Sequence, residues 1–249
     1  MIPVSVVIIT KNEAQRIGEC LASVADLADE IVVLDSGSSD GTQALCAARG
    51  ARVVACEWLG FGPQKDLAVR TARNDWVLCV DADERVSADL AGAIRSALAD
   101  KPAFPAYRCA RSNRFLDRYL RHGEGYPDWS LRLFDRRVAH WSSDAVHEKV
   151  ICSVPVGRLA GDLLHDTADT LDSYLAKQNR YTSLQAEKYT GKPVSAARLV
   201  LSPLVRFVKF YVVRGGFRDG IPGLVHIAIG CFNSFIKYAK IRERQRSDQ

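Results

Sequence analysis

The chain has 249 residues, 47% hydrophobic and 25% charged, which suits one mid-sized domain with an extension or two small domains. Those proportions exclude a collagen-like, wholly disordered or coiled-coil chain. The net charge of +5 is unevenly spread: residues 195–249 carry ten basic side chains against three acidic ones, a net of +7, leaving 24 basic against 26 acidic, or −2, before them. The seven cysteines form no C-x-x-C pair and mostly sit in apolar runs, as reduced core residues do. With no signal-peptide pattern at the start, the expectation is a reducing cytoplasm and no export.

Residues 2–10 (IPVSVVIIT) form a continuous β-branched run, the pattern of a parallel strand buried on both faces. Residues 13–25 then place Ile17, Leu21 and Val24 at helical spacing. A second strand over 31–34 ends at Asp35 and a Ser/Gly turn, after which Asp40 caps a helix through Ala48. A third strand is predicted over 52–56 and a helix over 64–73. The fourth strand, 76–80, runs into Asp81-Ala82-Asp83-Glu84, and Ser87 caps a helix through Ala99. This alternation predicts an α/β fold with a mostly parallel sheet flanked by helices. After Pro102 the period changes: 107–111 and 130–134 alternate like half-exposed strands, and a helical stretch returns over 170–190.

Ligands of open α/β sheets gather outside the carboxyl ends of the strands. Three such ends are polar and acidic here: Thr10-Lys11-Asn12-Glu13, Asp35-Ser36-Gly37 and Asp81-Ala82-Asp83-Glu84. No G-x-G-x-x-G follows the first strand and no P-loop motif occurs, which argues against dinucleotide and P-loop sites. Asp81-x-Asp83 is the sharpest feature. Two carboxylates at i and i+2 past a buried strand repel each other unless a hard divalent cation, which prefers oxygen ligands and substrate phosphates, removes the penalty. A solvated acidic turn is the alternative reading of the same residues.

These segments together resemble an inverting family-2 glycosyltransferase of the GT-A fold. VVIITKNEA, VVLDSGSSDGT and WVLCVDADE carry the resemblance in the first half; WLGFGPQKDLAV, YPDWSLRLFDRR, VHEKV and LLHDTADTLDSYLAKQNRYTSLQA extend it. The set looks like the bacterial lipopolysaccharide-core β-glucosyltransferases. One departure is Asp35-Ser36, where many relatives have two consecutive aspartates. The resemblance implies a Rossmann-like GT-A sheet with a nucleotide-sugar-binding half over 1–100 and an acceptor-side catalytic half over 101–168. It also implies a UDP-sugar donor and a divalent metal, Mg2+ or Mn2+. Thr10, Asn12 and Glu13 would line the nucleoside pocket, Asp35 the base edge and Lys65 the nucleotide or its phosphates. Asp81 and Asp83 would hold the ribose side and the metal, with His165 a further metal ligand. Arg132 would touch phosphate or acceptor. On the same resemblance the base that takes the acceptor proton would be Glu148, with Asp128 and Asp144 as alternatives, and His147 would orient Glu148 or ligate metal.

Residues 169–249 form a helical, basic, amphipathic extension. The segment 199–213 mixes aliphatic and aromatic residues with Arg206 and Lys209, and 220–236 lacks charge but includes Pro222, His226 and Asn233. That is short of the roughly 20 apolar residues of a spanning helix. The expectation is an interfacial segment over 199–246 on the anionic inner leaflet, attaching the enzyme peripherally to the cytoplasmic face of the inner membrane. Its apolar density argues against nucleic acid. The acceptor is then a lipid-linked saccharide, with a polyprenyl phosphate as the alternative. A non-catalytic, membrane-recruited nucleotide-sugar-binding protein is the reading outside the enzymes.

Overall fold

The structure, a computed structural model, describes residues 1–144, 148–166, 170–190 and 193–247. The chain divides into two compact units, Met1–Arg111 with Asp128–Asp166, and Ser112–Pro127 with Thr167–Gln249.

In the first unit, β1 (Val4–Thr10), β2 (Glu30–Asp35), β3 (Arg52–Ala55) and β4 (Trp76–Asp81) run parallel in the spatial order β3-β2-β1-β4. β8 (Asp128–Asp135) continues the sheet antiparallel to β4, and β6 (Ala106–Phe115) lies antiparallel to β8. β11 (Val156–His165) and β5 (Glu84–Val86), antiparallel to each other, complete it. β9 (Ala139–Trp141) and β10 (Val150–Cys152) form a separate antiparallel pair.

The β-branched run of β1 is buried on both faces because alternate side chains enter different cores. Val4, Val6 and Ile8 pack with Ile17, Leu21 and Val24 of α1 (Ile17–Val24) and with Leu90 and Ile94 of α4 (Ala88–Ala97). Val7 faces the other way, toward Ala68 and Val69 of α3 (Phe61–Thr71), with Val32, Cys79 and Phe134. The α/β architecture with a mostly parallel sheet and flanking helices is as the sequence predicts.

Local chemistry sets the helix starts. The N-cap of α2 (Thr42–Ala48) is Gly41 rather than the expected Asp40, one residue earlier, whose Oδ1 accepts from the Thr42 amide at 3.1 Å. Ser87 Oγ accepts from the Leu90 amide at 3.2 Å and from the Asp162 amide at 3.1 Å, tying the start of α4 to β11. The contact is close: Gly161 has φ +86° and a Cβ there would lie 2.2 Å from the Leu90 nitrogen. The first helix is shorter than predicted because Asn12 takes φ +56° and the helix starts only at Ile17. α3 starts earlier than predicted, at Phe61, with Pro63 tolerated in its first turn. The short strands β5, β9 and β10, and β11, were not anticipated from sequence.

In the second unit, β7 (Arg118–Tyr119) pairs with the far end of β6. α5 (Leu171–Glu187) and α6 (Ala196–Phe207) are capped by the hydroxyls of Thr170 and Ser195. A π-helical stretch, Val208–Val213, and a 3-10 turn, Gly216–Asp219, lead to α7 (Gly220–Ser247). Asp219, 1% exposed, accepts from the amides of Arg121 and His122 at 2.9 and 2.8 Å. Many apolar residues of this run stay exposed, Val205, Val212, Val213 and Ile221 by more than half. The sequence reading found 220–236 too short to span a bilayer, but the helix runs on, and the stretch Gly216–Arg246 meets the length and composition of a span.

Replacing Ser87 by Ala removes both accepted bonds, the helix cap and the tie to buried Asp162 of β11. The unfolding free energy should fall by about 1–2 kcal/mol in urea titrations. A loss below about 0.5 kcal/mol would mean that the tie carries no weight.

Candidate active site

Strand register decides what meets at the rim of the sheet. Thr10 pairs with Asp35 and Ile9 with Asp81, so β1, β2 and β4 end level with one another. The β11–β5 register sets His165 opposite Glu84, beside Asp83. A cavity of about 460 Å3 opens at this rim. Thr10, Lys11 and Glu13 line it from β1, Asp81, Ala82 and Asp83 from β4, and Trp58, Phe61 and Lys65 from α3 and the turn before it, with Glu148 and His165 completing the wall.

A chain of alternating charges ties these elements together. Lys65 Nζ lies 2.9 Å from Asp81 Oδ1 and 2.8 Å from Glu148 Oε1, with the Trp141 ring centroid at 4.8 Å. Arg132 Nη2 donates to Asp81 Oδ2 at 2.9 Å and to Glu84 Oε1 at 2.8 Å. Glu84 is fully buried, and its Oε2 accepts from the Asp81 amide at 3.0 Å. Burial alone would raise the Asp81 pKa, but Arg132 and Lys65 reverse the effect and hold the carboxyl well below the usual range. At Glu84 burial prevails over Arg132, and Asp81 adds to the rise. For Arg132 burial favours the neutral form, yet Asp81 and Glu84 push its pKa above its ordinary value.

The Asp81-Ala82-Asp83 turn is braced from β11. Asp83 Oδ2 lies 3.3 Å from His165 Nε2, and the Asp83 carbonyl accepts from the Asp166 amide at 2.9 Å. Asp166 in turn pairs with Arg85 at 2.6 Å. Glu13 pairs with Arg16 at 2.7 Å; burial raises its pKa, Arg16 opposes, and the nearby Asp83 charge adds to the rise. On the opposite wall, the Gly62 amide donates to the Asp144 carbonyl at 3.1 Å. A Cβ on Gly62 would lie 2.2 Å from the Ser142 carbonyl oxygen, so the lack of a side chain lets α3 approach the segment that precedes Glu148.

Of the residues singled out in the sequence, Thr10, Glu13, Lys65, Asp81, Asp83, Glu148 and His165 line this cavity. Asn12 does not: its Oδ1 accepts from the Ser39 amide at 2.9 Å, joining the loops after β1 and β2. Asp35 is fully buried and accepts from the amides of Gly37 and Ser38, the Ser38 hydroxyl and the Gln43 side chain. Burial works against its charge, but these bonds lower its pKa. Arg132 reaches the rim only through Asp81. Asp128 pairs with Arg111 at 2.9 Å, Asp144 is exposed, and neither lines the cavity. His147 lies outside the described residues. The sequence reading missed Glu84 as a buried partner, and also the exposed aromatics Trp58 and Phe61, whose rings meet edge to face at 4.8 Å. The WLGFGP segment was the available signal for that pair.

Residues 5–153 match the family described as glycosyl transferase family 2. The chain belongs to glycosyltransferase family 2. This glycosyltransferase is 31% identical over 258 residues to the lipopolysaccharide core biosynthesis glycosyltransferase LpsC of Rhizobium meliloti strain 1021, spanning 98% of this chain and 93% of the relative. It is also 31% identical over 256 residues to an uncharacterized glycosyltransferase of Rickettsia felis, spanning 96% of this chain and 89% of that one. The mannosyltransferase PcManGT from Pyrobaculum calidifontis, solved in complex with GDP-Man and Mn2+, shares the fold at 18% identity, TM-score 0.51, over 97% of this chain and 85% of that one. S. aureus TarS 1-349 in complex with UDP does so at 14% identity, TM-score 0.50, over 100% and 92%. The fold is the GT-A fold that the sequence resemblance implies.

Replacing Arg132 by Met removes the guanidinium that Asp81 and Glu84 share in the glycosyltransferase, leaving Lys65 beside Asp81 and only the more distant Arg111, at 3.6 Å, beside Glu84, and should destabilise it by about 3–5 kcal/mol at neutral pH. A carboxyl whose pKa is raised by folding gains stability as pH falls through its folded value, and Glu84 is the first to protonate. The deficit should therefore narrow from about pH 7 to about pH 5. A deficit that widens on acidification in denaturant titrations would contradict this electrostatic account.

Proposed function

We propose that this glycosyltransferase transfers a hexose, glucose foremost, from a UDP-sugar to a lipid-linked saccharide such as the lipopolysaccharide inner core, with inversion and with a divalent cation. The observation that carries this reading is the single cavity that gathers Glu148, the Asp83–His165 pair, Thr10 and Glu13. The acceptor class is supported by LpsC, a lipopolysaccharide core biosynthesis glycosyltransferase that aligns with nearly the whole chain. On this reading residues 1–100 serve the donor, 101–168 the acceptor side and the base, and 169–249 the membrane.

The donor set suits a divalent cation. Among the described residues no three His, Cys, Asp or Glu side chains form a metal group, so Asp83 and His165 would supply two ligands, leaving the rest to water and diphosphate oxygens. Mg2+ or Mn2+ held there would act as a Lewis acid on the charge left at the departing diphosphate. Asp81, held between Lys65 and Arg132, keeps its carboxylate ionised at the ribose and phosphate side. Thr10, whose buried hydroxyl lacks a protein hydrogen bond among the described residues, and Glu13 take the nucleoside end. Glu148 removes the proton of the acceptor hydroxyl as that oxygen attacks the anomeric carbon opposite the leaving group. The Lys65 ammonium, 2.8 Å away, orients Glu148. One carboxylate is enough, because the diphosphate leaves as a stabilised anion.

The exposed apolar run through α6, the π-helical stretch and the start of α7, interleaved with Arg198, Lys209, Arg214 and Arg218, supports an interfacial seat on the anionic cytoplasmic leaflet. An interfacial seat is preferred to a span because α7 carries His226, Asn233, Lys237 and Lys240 along its length and packs against α5 and α6.

Calorimetric titration of UDP should show binding that strengthens with Mn2+ in the wild type and loses that dependence in Asp83→Ala. No binding with or without metal would overturn the donor reading. Glu148→Gln should keep UDP affinity while transfer falls by about 100-fold or more. Near-normal transfer would move the base to Asp128 or Asp144. Combining Val205→Asp, Val212→Asp and Val213→Asp should abolish sedimentation with phosphatidylglycerol vesicles; unchanged sedimentation would exclude this surface.

A further inference from the structure

The second unit has a cavity of its own, of about 100 Å3, between α5, α6, α7 and the segment 112–127. We propose that it is a saccharide subsite, holding the hydroxyl-bearing edge of a sugar ring of the acceptor glycan. The proposal rests on the reading above that the acceptor is a lipid-linked saccharide, and adds where its polar part is held.

Three observations carry it. The first is a pair of amides. Asn233 Nδ2 donates to Gln178 Oε1 at 3.0 Å, which leaves a Gln178 Nε2 donor and an Asn233 Oδ1 acceptor without a protein hydrogen bond among the described residues. A donor beside an acceptor matches vicinal sugar hydroxyls, each of which can give and take a hydrogen bond.

The second is charge balance. Arg206 is paired with Glu124, and α7 has a glycine at the contact; a Cβ on Gly230 would lie 2.4 Å from Glu124 Oε2. Lys237, the other cation of the lining, sits over the Tyr238 ring at 4.5 Å. His226 is held toward its neutral form by burial, reinforced by Arg206. The lining is therefore rich in hydrogen-bonding groups, with one ion pair and a single further cation seated over a ring, which suits a polyol.

The third is aromatic. Tyr174 and His226 both line the cavity, their ring centroids are 6.0 Å apart, and each lies 5.2 Å from Phe115, giving a sugar ring carbon-rich faces to pack on. The volume is well below the roughly 300 Å3 of a drug-sized pocket, so it admits part of one ring and no more. The helices that build it also bear the exposed apolar residues, with Phe232 and Phe235 on α7 next to Asn233 and Ser234 in sequence. A polar cavity and an apolar surface on the same helices are the combination a glycolipid presents in reverse.

The test is calorimetric titration of the full chain with lipid-free core oligosaccharide released from lipopolysaccharide, repeated with Asn233→Leu and Gln178→Leu. Thermal melting, UDP binding and transfer kinetics are recorded for each. The wild type should bind the oligosaccharide, and each folded variant should bind it at least tenfold more weakly. UDP affinity should be unchanged, and KM for the acceptor should rise with kcat little altered. Equal affinity in the folded variants, or displacement of the oligosaccharide by inorganic phosphate, overturns the subsite while the acceptor reading stands. A wild type that glycosylates the oligosaccharide without measurable binding overturns the subsite in the same way. Failure of the wild type both to bind and to glycosylate it overturns the acceptor reading and the subsite together. Gln178 is only half-buried on α5, so its variant decides the question if Asn233→Leu does not fold.

Discussion

Asp81 and Glu84 share one guanidinium, that of Arg132, at the end of a strand buried on both faces. Two carboxylates in that position cannot both stay ionised without nearby positive charge, because burial penalises each charge and each repels the other. Arg132 answers from β8 and Lys65 from α3, so the chemistry of the β4 end dictates which neighbours the sheet must bring alongside it. Buried ion pairs of this kind contribute little net stability when intact but are costly to break. Their effect here is geometric. Lys65 neutralises Asp81 from a place where it also reaches Glu148, and the segment that carries Glu148 is thereby tied to the β4 end of the cavity.

The second unit follows a different physical logic. It buries few large apolar side chains, with Ala186, Val194 and Ile241 forming a small cluster, and leaves many valines and leucines of α6 and α7 exposed. Its order comes from polar ties: Asp219 gathering the amides of Arg121 and His122, Arg206 with Glu124, and Lys240 donating to Asn179, Thr182 and Ser183. Helices held together by polar contacts and apolar on the outside leave a large exposed apolar surface, the feature on which the proposed membrane seat rests.

Residues next to buried strands were the most legible. Thr10, Glu13, Asp81 and Asp83 follow β-branched runs directly, and parallel strands that end level carry such neighbours to one rim. Lys65, Glu148 and His165 enter through family resemblance, because nothing in their local spacing announces that they line the same cavity. Asn12 and Asp35 show the limit of position as a guide. Both stand at strand ends, yet Asn12 joins two loops and Asp35 is consumed by the turn it caps, since a short polar side chain in a tight turn is satisfied first by its nearest amides. Glu84 was read as one more acid in a turn, because its partner Arg132 is 48 residues away.

The sequence by itself determined the α/β alternation, the parallel orientation of the buried strands and the basic, apolar character of the last quarter. These follow from periodicity and composition, which act within a few residues. Only the tertiary structure decided the antiparallel partners of β4 and β5, the sharing of Lys65 between two carboxylates and the cavity among the C-terminal helices. Those features depend on which distant side chain compensates a buried charge or a buried amide, and that choice is made by packing between segments far apart in the chain.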